Sequence, residues 1–200
     1  MEKNIVFTDF DGTLTLKDSF LEFLKFYVGM SKLFFGLLAN APHILAYKLK
    51  IISNERAKEK LFSYFFAGKD ITEFQLKCDQ FSVNIIPKIL REKAKTKITE
   101  HQTNKHQIVV VSASIENYLQ EWCKNNHFDC IATQIEIKNQ KITGKFLSKN
   151  CYGQEKVTRI QEKYCLQDYA VIYAYGDTEG DKPMLNIAHQ PQYKPFHHNL

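Results

Sequence analysis

Two carboxylates, Asp9 and Asp11, stand two residues apart where the short apolar run Ile5 to Thr8 meets a turn at Gly12. In a strand, that spacing points both side chains to the same side. Two acids at the end of a buried strand repel each other. The arrangement costs free energy unless a cation sits between them or one is protonated. The pattern fits a divalent-metal site in which one carboxylate is a nucleophile and the other an acid/base group.

Three further segments carry groups that suit phosphate chemistry. Ile108 to Val111 is a continuous β-branched run, as expected of a parallel strand covered on both faces. It ends in Ser112-Ala113-Ser114, and Ile115 to Lys124 reads as a helix. A serine there can hold a phosphate oxygen at a helix N-terminus or simply cap the helix, and the residues leave both open. Lys156 follows a turn at Gly153 near the start of another helix, where an ammonium can neutralise phosphate or remain a solvated surface charge. Finally, an apolar strand, Ala170 to Tyr173, feeds a turn at Gly176 with Asp177 and Asp181 four residues apart.

In order, Asp9-Phe10-Asp11-Gly12-Thr13-Leu14-Thr15, Ser112, Asn150 to Val157 around Lys156, and Ala174 to Leu185 resemble the four motifs of the haloacid dehalogenase-like hydrolases. Most of that family are Mg²⁺-dependent phosphatases. The layout is similar to subfamily IB, whose members include phosphoserine phosphatase-like and phosphatidylglycerophosphatase C-like proteins. The resemblance implies that Asp9 is the nucleophile and Asp11 the acid/base. Ser112 and Lys156 would share the developing charge, and Thr13, Ala113 and Asp18 would contact substrate. It also implies a Mg²⁺ site made by Asp9, Asp11 (through its backbone carbonyl), Asp177 and Asp181, with Asp181 ordering the site or a metal-bound water. Glu179 is expected to face solvent. Ser112-Ala113-Ser114 departs from the Ser-Gly-Gly pattern of phosphoserine phosphatases, and Gly176-Asp177-Thr178-Glu179-Gly180-Asp181 departs from their Gly-Asp-Gly-x-Asn-Asp. Asp18 stands where those enzymes read a substrate amine. The expected substrate is therefore a small phosphometabolite or a lipid head-group phosphate, with phosphoserine as an alternative. A non-catalytic phosphate-binding or partner-binding relative is the reading from another class.

Elements to position these groups are legible. Strands are expected at Ile5 to Thr8, Ile108 to Val111, Cys130 to Thr133, Val171 to Tyr175 and Gln192 to Phe196. Helices between most of them argue for a parallel α/β sheet, a Rossmann-like core whose ligands sit at the C-terminal strand ends. Ile135 to Ile137 and Ile142 to Phe146 read as a small β-hairpin. Helices are expected over Phe20 to Val28, Leu33 to Leu38 and Ile44 to Leu49, then from Ser53 or Asn54 to Phe66. Asp70 with Glu73 suggests a capping box opening a helix to about Phe81. Pro87 suits the first turn of a helix carrying Arg91, Lys93, Lys95 and Lys97. Residues 18–87 thus form a helical cap inserted into a core made of 1–17 and 88–200.

Composition narrows the partners. The chain has 27 basic and 22 acidic residues, a modest excess that suits an anionic substrate and does not call for nucleic acid. Lys48, Lys50, Arg56, Lys58 and Lys60 beside an apolar cap leave a peripheral membrane contact open, against the reading that they are a solvated face. The run Leu33 to Leu49 is broken by Asn40, Pro42 and His43, short of the roughly 20 apolar residues that span a bilayer. Five cysteines without a CxxC pair read as reduced thiols, and the first catalytic strand starts at about Asn4, so a cytoplasmic location is expected. His197 and His198 could bind metal adventitiously, but read first as a disordered tail. Oligomeric state is not legible.

Overall fold

The computed structural model describes residues 3–197. Strands β1 (Asn4–Thr8), β2 (Gln107–Ile115) and β3 (Asp129–Thr133) are followed by the antiparallel hairpin β4 (Ile135–Lys138) and β5 (Lys141–Phe146). With β6 (Val171–Gly176) and β7 (Gln190–Tyr193), the first three strands make a parallel sheet in the order β3-β2-β1-β6-β7. The central strand β1 pairs with β2 and β6, so that Thr8 lies level with Val110 on one side and Tyr175 on the other. The fold is the expected Rossmann-like core. Alternation along the strands sends Ile5, Phe7, Val109 and Val111 to one buried face and Val6, Ile108 and Val110 to the other. Burial on both faces is why these strands are almost wholly apolar.

The helices are α1 (Ser19–Val28), α2 (Met30–Ala39), α3 (Ala41–Lys48), α4 (Asn54–Phe66), α5 (Ile71–Asn84), α6 (Ile86–Ile89), α7 (Glu92–Thr103), α8 (Glu116–Asn125), α9 (Gln154–Lys163) and α10 (Lys182–Asn186). Helices α9 and α10 supply Ile160, Met184 and Leu185 to one face of the sheet. The other face is covered by α7 and α8 and runs without a break into α1, α4 and α5. Phe23 of α1 is the hub of that continuity. Its ring lies 5.1 to 5.8 Å from those of Phe66, Phe74, Phe81 and Tyr118, the last belonging to α8. Side chains start three of the helices: Asp18, Ser53 and Asp70 each accept a backbone N–H at the N-terminus of α1, α4 and α5. Among the described residues, no helix is long and apolar enough to cross a membrane.

Three expectations need correction. The single helix expected after Pro87 is broken into α6 and α7. Leu90 is extended and bridges to Thr15, and the Arg91 N–H donates to the Leu14 carbonyl, so strand-like pairing wins locally over helix propensity. Strand β7 ends at Tyr193 and not at Phe196. It is an exposed edge that tolerates Pro191, so its apolar content was no guide, and the Phe196 ring instead stacks 5.6 Å from Tyr175. The tail expected to be disordered is packed as far as His197, whereas His198 lies outside the described residues. All five cysteines are free, with Cys165 alone exposed.

Candidate active site

Asp9 is the first residue after β1, its N–H bonded to the Tyr175 carbonyl of β6. The strand end therefore carries the carboxylate into the interior, and Asp9 is only 6% exposed. Lys156, on α9, reaches the same place from below. Its Nζ lies 2.6 Å from Asp9 Oδ1, 2.7 Å from Asp181 Oδ1 and 2.7 Å from the Val111 carbonyl. All three donors are used, and the ammonium is 1% exposed. Burial disfavours that charge, but Asp9 and Asp181 outweigh it and hold Lys156 above the ordinary lysine range. Burial pushes the Asp9 carboxyl up to about 7; Lys156 opposes the rise, and neighbouring Asp181 and Asp11 add to it. One ammonium is too little positive charge for the acids gathered here.

Asp11 faces a different set of groups. Its Oδ1 accepts from the Ser19 N–H at 2.7 Å, and its Oδ2 accepts from the Ser114 hydroxyl. Burial, then the charge of Asp18, raises its pKa. A carboxyl with a raised pKa can keep the proton that a general acid needs. Neither serine of β2 caps α8, whose N-cap position is Ile115 without a side-chain bond. Ser114 holds Asp11, and Ser112 is left lining the cavity with its Oγ accepting from the Ser114 N–H.

The turn after β6 completes the arrangement. Asp181 Oδ2 accepts from the N–H groups of Asp177 and Thr178 and from the Thr178 hydroxyl, at 2.7 to 3.1 Å. Burial alone would raise the Asp181 pKa; Lys156 and these Thr178 bonds reverse it and leave it lowered. The loop bearing Asp177 is thus tied by the side chain of Asp181. Oxygens of Asp9, Asp177 and Asp181 come within 4.8 Å of one another. Asp11 does not join this group through its side chain. Gly12, at φ +82°, is required for the approach: a Cβ there would lie 2.4 Å from Asp177 Oδ2. An all-oxygen, acidic, partly buried cluster with surplus negative charge is the donor set that Mg²⁺ takes, so the residues present fit the ion.

Other sequence candidates are placed as follows. Thr13 is buried and donates to Asp177 Oδ1 at 3.0 Å, on the carboxylate cluster and not on the cavity wall. Ala113 and Asp18 line the cavity, although Asp18 Oδ1 also accepts from the Leu21 N–H. Glu179 is exposed.

Three participants were not legible as such. Lys58, expected on a solvated face, reaches from α4 into the cavity and donates to the Ala113 carbonyl at 2.7 Å. Burial lowers its pKa against the pull of Asp18 and Asp11. Arg91 donates from Nε to the carbonyls of Gly12 and Thr15, clamping the turn that carries Asp11. His197 sets Nε2 3.5 Å from Asp177 Oδ2. Only the three-dimensional fold brings these residues here, since each lies far in sequence from the group it touches.

The cavity enclosed by these groups is about 330 Å³. Its polar end is Asp9, Asp11, Ser112 and Lys156, and Leu21 of α1 with Ile44 and Tyr47 of α3 also line it. Replacing Lys156 by Met keeps the volume but leaves two buried carboxylates facing each other. Lys156→Met is expected to cost about 3–5 kcal/mol in urea unfolding, and a change below about 1 kcal/mol would mean that the ammonium is not what holds the pair together.

A parallel α/β core with two acids after its first strand, a buried lysine and an acidic turn after a later strand defines a class of hydrolases. The chain belongs to the haloacid dehalogenase-like hydrolases, whose family pattern it matches over residues 6–186. It is 32% identical to Protein CicA of Caulobacter vibrioides over 98% of this chain and 87% of that one. A protein of unknown function from Bordetella pertussis Tohama I has the same fold, with a TM-score of 0.81 at 20% identity, covering 96% of this chain and 89% of the other. A phosphoserine phosphatase bearing an analogue of the phospho-aspartyl intermediate is similar with a TM-score of 0.58 at 20% identity, covering 94% and 84%.

Proposed function

We propose that the protein is a Mg²⁺-dependent phosphatase that hydrolyses a phosphomonoester through an aspartyl-phosphate on Asp9. The observation that carries this reading is the pairing of Asp9, pinned on one oxygen by Lys156, with Asp11, held separately by Ser19 and Ser114, on one cavity wall. The phosphatase named above, with its phospho-aspartyl analogue, supports the same chemistry.

In the first step the free oxygen of Asp9 attacks phosphorus, the P–O bond to the leaving group breaks, and Asp11 gives its proton to the departing oxygen. In the second step water attacks phosphorus, Asp11 takes its proton, and the bond from Asp9 to phosphorus breaks. Ser112 faces the phosphoryl oxygens, and the buried charge of Lys156 beside Asp9 offsets the charge that develops on them. Asp9, Asp177 and the backbone carbonyl of Asp11 would hold Mg²⁺, with Asp181 ordering the loop behind; when bound, the ion supplies charge neutralisation at the phosphate. Residues 18–87 act as the cap, with Lys58 and Asp18 presenting opposite charges to the non-phosphate part of the substrate. That pair suits a small polar group as readily as a head group, so phosphoserine has no special support. The complete set of acids, serine and lysine favours a catalyst over a phosphate-binding relative.

The test is chemical trapping. Acid quenching during turnover of a ³²P-labelled phosphomonoester is expected to leave label on the protein that is released by hydroxylamine and maps to the peptide of Asp9. Turnover without any such label would overturn the covalent route.

A further inference from the structure

The outer helices of the insertion turn their apolar side chains to solvent. On α2, Leu33 and Gly36 face inward, and Gly36 is so close to Phe65 that a Cβ would overlap its ring. The opposite side of the same helix carries Met30, Phe34, Phe35 and Leu38, each more than 60% exposed. Helix α3 has no buried residue at all, and Leu45, Leu49 and Ile51 in and just after it are exposed. A short helix with no buried face gains little from water, because helices in proteins are held chiefly by packing of an apolar side. Exposed apolar groups this dense mark a contact surface.

Charge selects the occupant. From Phe23 to Asn54 there is no Asp or Glu, while Lys25, Lys32, Lys48 and Lys50 are all exposed. A second copy of the chain seated on the same patch would bring lysines against lysines, which disfavours a self-complementary dimer. An anionic surface with an apolar interior satisfies both halves of the patch. Lysines meet the charged layer, and Phe34 and Phe35 enter below it. The patch also continues into the site: Ile44 lines both the catalytic cavity and the cleft beside α3 that Leu45 and Lys48 share.

We infer that α2 and α3 dock the protein on an anionic lipid bilayer, with the mouth of the catalytic cavity turned toward that surface. The orientation of the mouth rests on the phosphatase reading; the docking does not.

Flotation with vesicles separates the two. The wild type is expected to float with phosphatidylcholine vesicles containing phosphatidylglycerol, not with phosphatidylcholine alone, and to be released by salt. Phe34→Ser with Phe35→Ser should weaken vesicle binding by about tenfold or more while leaving hydrolysis of a soluble aryl phosphate unchanged. Lys48→Glu with Lys50→Glu should abolish the preference for the anionic lipid. Asp9→Asn should float like the wild type, so loss of catalysis and loss of docking are read independently. Failure of the wild type to float, or flotation indifferent to the Phe34 and Phe35 changes, would overturn the inference. So would a dimer in sedimentation velocity that the same two changes dissolve, since it would assign the face to a second copy.

Discussion

Asp9→Asn is expected to lower turnover of an aryl phosphate by several orders of magnitude, about the scale seen when a covalent nucleophile is removed. The amide keeps the shape of the carboxylate and can still accept from Lys156 Nζ, so the sheet and its strand-end contacts should survive. What disappears is the attacking oxygen anion. Circular dichroism and urea unfolding check that the variant is folded. Stability is expected to change little, because the burial that pushes Asp9 up to about 7 opposes its charge while the Lys156 contact favours it. Near-normal turnover in a folded variant would remove Asp9 from the chemistry altogether.

Removing divalent metal has an effect of similar size. EDTA should abolish turnover and Mg²⁺ should restore it. Ca²⁺ should not, since it prefers more ligands at longer distance than this compact cluster offers. Asp177→Ala should raise the Mg²⁺ concentration needed for half-maximal rate. Gly12→Ala should act in the same direction, because a Cβ at that position would displace the Asp177 carboxylate. Full activity in EDTA would refute the metal assignment, and an unchanged Mg²⁺ requirement in Asp177→Ala would move the ion elsewhere.

How much of this was legible depends on distance along the chain. The acid pair after β1, the acidic turn after β6 and the lysine on α9 are each local patterns, and buried strands announce themselves as unbroken β-branched runs. The parallel arrangement followed from helices placed between strands. What stayed hidden was long-range. Lys58 looks like any other lysine on a charged helix until α4 is folded over β2, where its ammonium finds the Ala113 carbonyl. Arg91 sat inside a plausible helix, but the pairing of Leu90 with Thr15 turned it toward the loop that carries Asp11. The choice between capping and site roles for Ser112 and Ser114 needed the register of β2, which carries both serines before α8 begins. The edge strand β7 was anticipated but misplaced for the converse reason: with no face buried, nothing in its composition marks its bounds.

Phe23 and its ring partners have a consequence for how such a protein can be altered. Because the stack passes from α1 through α5 to Tyr118 of α8, the helical insertion and the sheet solidify together. The insertion is therefore not a cartridge. Excising it, or swapping it for the corresponding segment of another hydrolase to change selectivity, would lay open the apolar face of α8 and leave Tyr118 without its neighbours. The same welding limits how the insertion can breathe. Its inner helices are committed to the core, and freedom to shift during a catalytic cycle is left to α2 and α3, the stretch with the fewest buried side chains. Retuning such a protein for a new substrate should accordingly begin with point changes along that outer rim, not with transplants.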